Sequence, residues 1–264
     1  MRATIWFLCR FGLIPFLAWF LVGPGLFVLW AAVEMMIGFW VRISTSERFG
    51  LRSGIYEAAR ADRERAAGGQ SEVQDPVAAA VARLVSELGW PVVPQSAVVE
   101  SVPGHDNAMM TRRRDGRHLI LLSKRLVSDQ PPEVIRAVLA HELGHLLKVN
   151  RFGQTIAGWM DVWVPIIGLA LAWGLSESIL GPVLWAAIRV TAELLRLAIR
   201  RNCETRADGL AVRLGSGRDQ VRFLEWSESI RTRRRTRPEW LSTHPAAKNR
   251  IARINRLVGL VTTA

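Results

Sequence analysis

Two long apolar blocks, residues 3–43 and 155–199, constrain this 264-residue chain more than any other feature. A helix that crosses a bilayer needs ~20 mostly apolar residues, and each block is about twice that long. Together they hold eight of the eleven Trp, so each reads as a helical hairpin and the pair as four membrane spans. Gly23-Pro24-Gly25 supplies the turn signal in the first block, and Gly174 to Ser178 interrupts the second. A cleaved signal peptide would be one short apolar segment; here a second follows at once, which argues against cleavage.

A formal net charge of +12 raises nucleic acid as a partner. The placement of the charge argues against it. Arg42 at the end of the first block is followed by Arg48 and Arg52, Lys148 and Arg151 precede the second, and Arg196 near its end is followed by Arg200 and Arg201. That is the positive-inside pattern, so the segments between and after the hairpins are expected on the cytoplasmic side of a plasma (inner) membrane, with the lipid bilayer as partner and no nucleic acid. Arg231, Arg233, Arg234, Arg235 and Arg237 form a denser cluster that reads as a solvated loop, with anionic lipid or nucleic acid as the alternative. The cysteines are Cys9, inside an expected span, and Cys203, beyond one, so neither a structural disulfide nor a Cys-based metal site is expected.

Between the hairpins the chain changes character. Gly50 to Gln70 is charged and Ala-rich and reads as a helical connector. Asp75-Pro76 provides a cap and a first-turn proline for a helix to Leu88, which Gly89 stops, and Pro91 to Val99 reads as extended chain. Ala108–Thr111 and Arg117–Leu122 flank Asp115-Gly116 as a hairpin with an edge strand. Pro131-Pro132-Glu133 opens a further helix that Val134, Ala137, Val138 and Leu139 carry towards Lys148 and Asn150.

That last helix contains His141-Glu142-Leu143-Gly144-His145. Imidazoles at i and i+4 share one helical face and can reach a single zinc ion, with the intervening Glu beside it. Zinc acidifies a water and polarises a substrate carbonyl, and Glu142 then serves as the base that moves the proton to the leaving amine. A catalytic zinc usually has three protein ligands and one open position. Glu204, in Glu204-Thr205-Arg206-Ala207-Asp208, is the expected third ligand, and Asp208, one turn on, is placed to accept from a ligating His and set its tautomer. Taken alone, that segment fits an ordinary solvated helix. His105 and His118 read as surface or strand residues.

His141 to His145, Glu204 to Asp208, and Thr243-His244-Pro245 followed by Arg250-Ile251 resemble the membrane zinc metallopeptidases that include HtpX-type quality-control proteases and CAAX prenyl endopeptidases. The resemblance runs from about Asp75 to Leu257. Asn107-Ala108 matches an Asn-Ala pair that the family carries on a strand before the zinc helix. HtpX-type members also have membrane helices before the domain and between the zinc helix and the Glu.

The resemblance implies a gluzincin-like fold with zinc on His141, His145 and Glu204 and with Glu142 as general base. It makes His244 a donor to the developing oxyanion, although His244-Pro245 equally fits the cap of a helix beginning near Ala246. It makes Asn107 and Ala108 holders of substrate backbone along the edge strand. Met109-Met110 and the arginine-rich turn stand where smaller or aromatic residues are usual.

The expected fold is thus α+β, mainly α: a membrane hairpin over 1–43, a cytoplasmic connector over 44–74, the first part of a zincin-like peptidase domain over 75–154, a second hairpin over 155–199 and the rest of the domain over 200–264. The expected activity is zinc-dependent hydrolysis of internal bonds in misfolded or membrane-associated polypeptides. A prenyl-protein processing or signalling protease of the same fold is the alternative, and a catalytically silent membrane scaffold is the reading from another class. Arg10, Glu34, Asp161, Arg189 and Glu193 fall inside the expected spans. Such charges are costly there, and either line a wet notch or snorkel and pair locally, as Arg189 with Glu193.

Overall fold

The computed structural model describes residue 33 and residues 74–99, 108–112, 117–175, 178–230 and 245–262. The elements in chain order are α1 (Gln74–Glu87), β1 (Gln95–Val99), β2 (Ala108–Arg112), β3 (His118–Ser123), α2 (Lys124–Asp129), α3 (Pro132–Gly144), α4 (Lys148–Gly174), α5 (Leu180–Arg213), α6 (Gly217–Ser229) and α7 (Ala247–Thr262). The class is mainly helical α+β, as expected. The described residues fall into two compact units, one holding 148–204 and the other 74–147, 205–230 and 247–262, and the division falls within the continuous helix α5.

The second unit contains a three-stranded sheet of order β1-β3-β2, in which β3 lies parallel to β1 and antiparallel to β2. The central strand has residues buried on both faces, and its side chains alternate between two clusters as strand geometry requires. Ile120 and Leu122 join the main core with Val81 and Leu84 of α1, Leu139 and Leu143 of α3, Leu210 of α5, Phe223 of α6 and Ile254 of α7. Leu119 and Leu121 pack on the opposite face with Ala97, Val99 and Met109. Val77, Val81, Leu84 and Val85 form one apolar stripe on α1, which stops where Gly89 takes φ +63 and the Trp90 N–H bonds back to the Val85 carbonyl. Ala108 opens β2, an edge strand, opposite Leu122; Asn107 and the Asp115-Gly116 turn lie outside the described residues.

The histidine helix ends earlier than the expected Lys148. The amide of His145 bonds to the Glu142 carbonyl, the helix closes at Gly144, and a new helix starts at Lys148. Helix signals persist in the sequence from 132 to 174, but Leu146 and Leu147 bond back in a tighter turn that breaks the ladder.

The first unit contains α4 and the part of α5 up to Glu204, which pack antiparallel. A Cβ on Gly153 would meet Cys203 and Ile199, and one on Gly168 would meet Trp185 and Ile188. Among the described residues no helix is long and apolar enough to cross a membrane. The four expected spans therefore do not stand as described elements: the first hairpin, 3–43, lies outside the described residues apart from Val33, and neither described helix over the second, 155–199, is long and apolar enough to span. Arg189, Glu193 and Arg196 punctuate α5, and Asp161 punctuates α4. These charges are mutually engaged. Arg196 binds the Glu193 carboxylate and lies 3.5 Å from Asp161, Arg200 reaches Asp161 at 3.9 Å, and Arg189 sits over the Trp185 ring. Arg10 and Glu34, the other members of the expected notch, lie outside the described residues.

Candidate active site

The site is built on the last turn of α3. Pro131 and Pro132 preset the entry of this helix, Glu133 complements its positive end, and every residue from Ala137 to Gly144 is buried. His141 and Glu142 therefore sit at 6% and 8% exposure, at the helix end whose unpaired carbonyls favour a cation. His145 continues the right-handed conformation as C-cap, so the i, i+4 spacing survives the helix end, and the two imidazole rings lie edge to face, 5.1 Å apart.

Helix α5 brings the carboxylates. Its approach to α3 depends on Gly144, where a Cβ would fall 2.6 Å from the Cα and 2.9 Å from the Cβ of Ala207. Backbone at that distance must move. Gly144→Ala is expected to destabilise the protein by about 1–3 kcal/mol, the usual cost of overpacking. Chemical denaturation reads this directly; an unchanged midpoint would show that the two helices separate freely.

Glu204 and Asp208 occupy successive turns of α5, and both are buried. His141, His145 and Glu204 each offer one donor atom, and these atoms all lie within 4.8 Å of one another. Asp208 is 1% exposed and holds His141: its Oδ1 lies 2.9 Å from His141 Nδ1. Arg250 of α7 donates to both Asp208 oxygens, at 2.9 and 2.6 Å, and Gln220 of α6 donates at 3.4 Å. Three helices thus converge on one carboxylate.

Burial pushes the Asp208 carboxyl up, but the His141 hydrogen bond and the Arg250 charge outweigh it and hold the group at about 2, against an ordinary 3.8. A carboxyl depressed in the folded state contributes stability that is present above the unfolded pKa and lost as pH falls through the folded one. The window is therefore from about pH 4 down to about pH 2, and the amount is roughly 2 kcal/mol. Denaturation midpoints measured across that window should fall more steeply in the parent than in Asp208→Asn; parallel losses would remove Asp208 as the source.

Of the other expected site residues, Ala108 is buried at the start of the edge strand, whereas Asn107 and His244 lie outside the described residues. Pro245 precedes α7, which begins at Ala247, one residue from the expected start. His118 opens β3. Sequence reasoning assigned no role to Arg250, Gln220 or Asn150. Arg250 carried a signal, since it stands six residues past His244 in one motif; a single Gln on an amphipathic helix carries none.

A model of peptidase family M48 matches residues 71–258. The chain is 26% identical over 210 residues to "Protease HtpX homolog" of Pyrococcus abyssi (strain GE5 / Orsay), covering 67% of this chain and 71% of that protein. Among solved structures it is similar to S. mikatae Ste24p, with a TM-score of 0.50 and 21% identity over 70% of this chain. The match covers 49% of Ste24p, so the chain spans about half the length of that protein, and the likeness is one of fold. The family match takes in α1 through most of α7, including both segments that converge on the histidine pair, and the chain belongs to peptidase family M48.

Proposed function

We propose that the chain is a zinc-dependent endopeptidase of the plasma membrane, with its site on the cytoplasmic side, that cleaves internal bonds in misfolded or membrane-associated polypeptides. The observation that carries this reading is the convergence of His141, His145 and Glu204, with Asp208 against His141. Two imidazoles and a carboxylate suit zinc, which takes nitrogen and oxygen donors and in catalytic sites keeps one position open. Asp208 engages Nδ1 of His141, which leaves Nε2 as the ligating atom. Bound zinc would supply Lewis-acid polarisation of the scissile carbonyl and make an attacking water acidic.

The remaining work falls to the chain. Glu142, beside the ligands on the same helix, receives the proton of the attacking water and passes it to the leaving nitrogen. Ala108, which opens β2, and Asn107 before it in sequence hold substrate main chain as an added strand, and His244 donates to the developing oxyanion.

The membrane assignment is supported by the outer surface of the α4–α5 hairpin. Trp159, Trp163, Ile167, Val183 and Leu195 are each more than half exposed, an apolar belt of the kind that marks a lipid or protein contact. The charges of the hairpin meanwhile pair with one another, as charges at membrane depth do.

The test is metal removal from the purified full chain in detergent micelles. Casein hydrolysis should vanish on dialysis against a chelator and return with stoichiometric zinc. Activity that survives demonstrated loss of zinc would end the proposal.

A further inference from the structure

The α4–α5 hairpin contains a polar contact that the chemistry above does not use. Asn150, in the first turn of α4, is fully buried. Its amide Nδ2 donates to the main-chain carbonyl of Cys203 at 3.2 Å, across 53 residues of sequence. The Cys203 thiol lies 3.7 Å from the Asn150 carbonyl in return. A carbonyl inside a helix has a second lone pair, so it can accept this bond without giving up its own helical one. One turn further along α4, Gly153 leaves space that a Cβ would take from both the Cys203 thiol and Ile199, each at 3.3 Å. The beginning of α4 is therefore shaped to the stretch of α5 that ends immediately before Glu204.

We propose that Asn150 is a positioning residue for Glu204, acting through the main chain of α5 at Cys203. The inference rests on the metal-centre reading of Glu204. A buried amide costs free energy unless it is bonded, and a leucine of similar volume would fill the space without that requirement. What the amide adds is direction. Apolar surfaces slide over one another, whereas a hydrogen bond to one carbonyl selects one height and one rotation. The selection matters on a 34-residue helix, because a slip of one residue moves a side chain by about 1.5 Å and about 100°, enough to take a carboxylate out of a three-donor cluster. Glu204 is thus bracketed along α5: Asn150 holds Cys203 on one side, and Ala207 and Asp208 meet Gly144 and His141 on the other.

The experiment is a double-mutant cycle on the full chain in micelles, with Co2+ as the probe metal and affinity read by chelator competition. Asn150→Leu is expected to weaken Co2+ binding by about 10–100-fold, the range for residues that orient a ligand without touching the metal. It should also lower the visible absorption of the complex as the carboxylate leaves the coordination sphere. In a Glu204→Gln background the same substitution should have no further effect, because the latch acts only through that carboxylate. Losses that simply add would show a general packing role and overturn the proposal, as would Asn150→Leu binding within twofold of the parent. If the leucine variant lacks a cooperative melt, Asn150→Asp, which keeps the shape and loses the amide donor, carries the same cycle. A parent that binds no Co2+ would instead sink the metal-centre reading, and the latch with it.

Discussion

Glu142→Gln is expected to lower casein hydrolysis by about a thousandfold while the protein keeps its zinc. The two side chains have nearly the same volume, so the well-packed end of α3, where Glu142 is 8% exposed, has no reason to rearrange. What changes is proton affinity. A carboxylate can take a proton from an attacking water and hand it on, and an amide cannot; positioned acid–base groups contribute about 10²- to 10⁴-fold. Glu142 lies outside the three-donor cluster, so metal content should be unchanged. A glutamine variant with parental turnover at equal zinc content would remove Glu142 from the chemistry and leave the centre without a base.

Glu204→Gln applies the same chemical change one helix away, with a different expected result. Here the carboxylate is a proposed ligand, and neutralising it removes both charge and donor strength from the metal site. Zinc affinity should fall by more than about 100-fold, since even residues that only support a ligand cost 10–100-fold. Hydrolysis should follow metal occupancy and recover in part at high zinc concentration, which it should not do for Glu142→Gln. If zinc affinity were unaltered, the third ligand would have to be sought elsewhere. The contrast between the two substitutions, one losing turnover and the other losing metal, separates base from ligand without a structure of either variant.

The local features of the fold were legible because each is a short-range effect. Asp75-Pro76 and Gly89 bound a helix observed at Gln74–Glu87, a proline pair opens α3, and alternation around Asp115-Gly116 anticipates strands observed at Ala108–Arg112 and His118–Ser123. The end of α3 was not legible. Apolar periodicity continues past His145, and only the tight turn at Leu146 and Leu147 closes the helix. Nor was the parallel pairing of β1 with β3, which joins segments whose separate patterns carry no mark of each other.

The donor types of the site were set by the sequence alone: two imidazoles four residues apart on a helix, and a distant helix with acids one turn apart. This follows because i, i+4 geometry is a property of any helix. Tertiary structure decided which atoms meet. The sequence contains nothing that says Ala207 must pass within contact of Gly144, that Arg250 and Gln220 must reach Asp208, or that Asn150 must hold the carbonyl before Glu204. Those distances arise from packing, of α4 with the first part of α5 and of α3, α6 and α7 with its last part, and packing depends on side chains that are neighbours only in the folded chain.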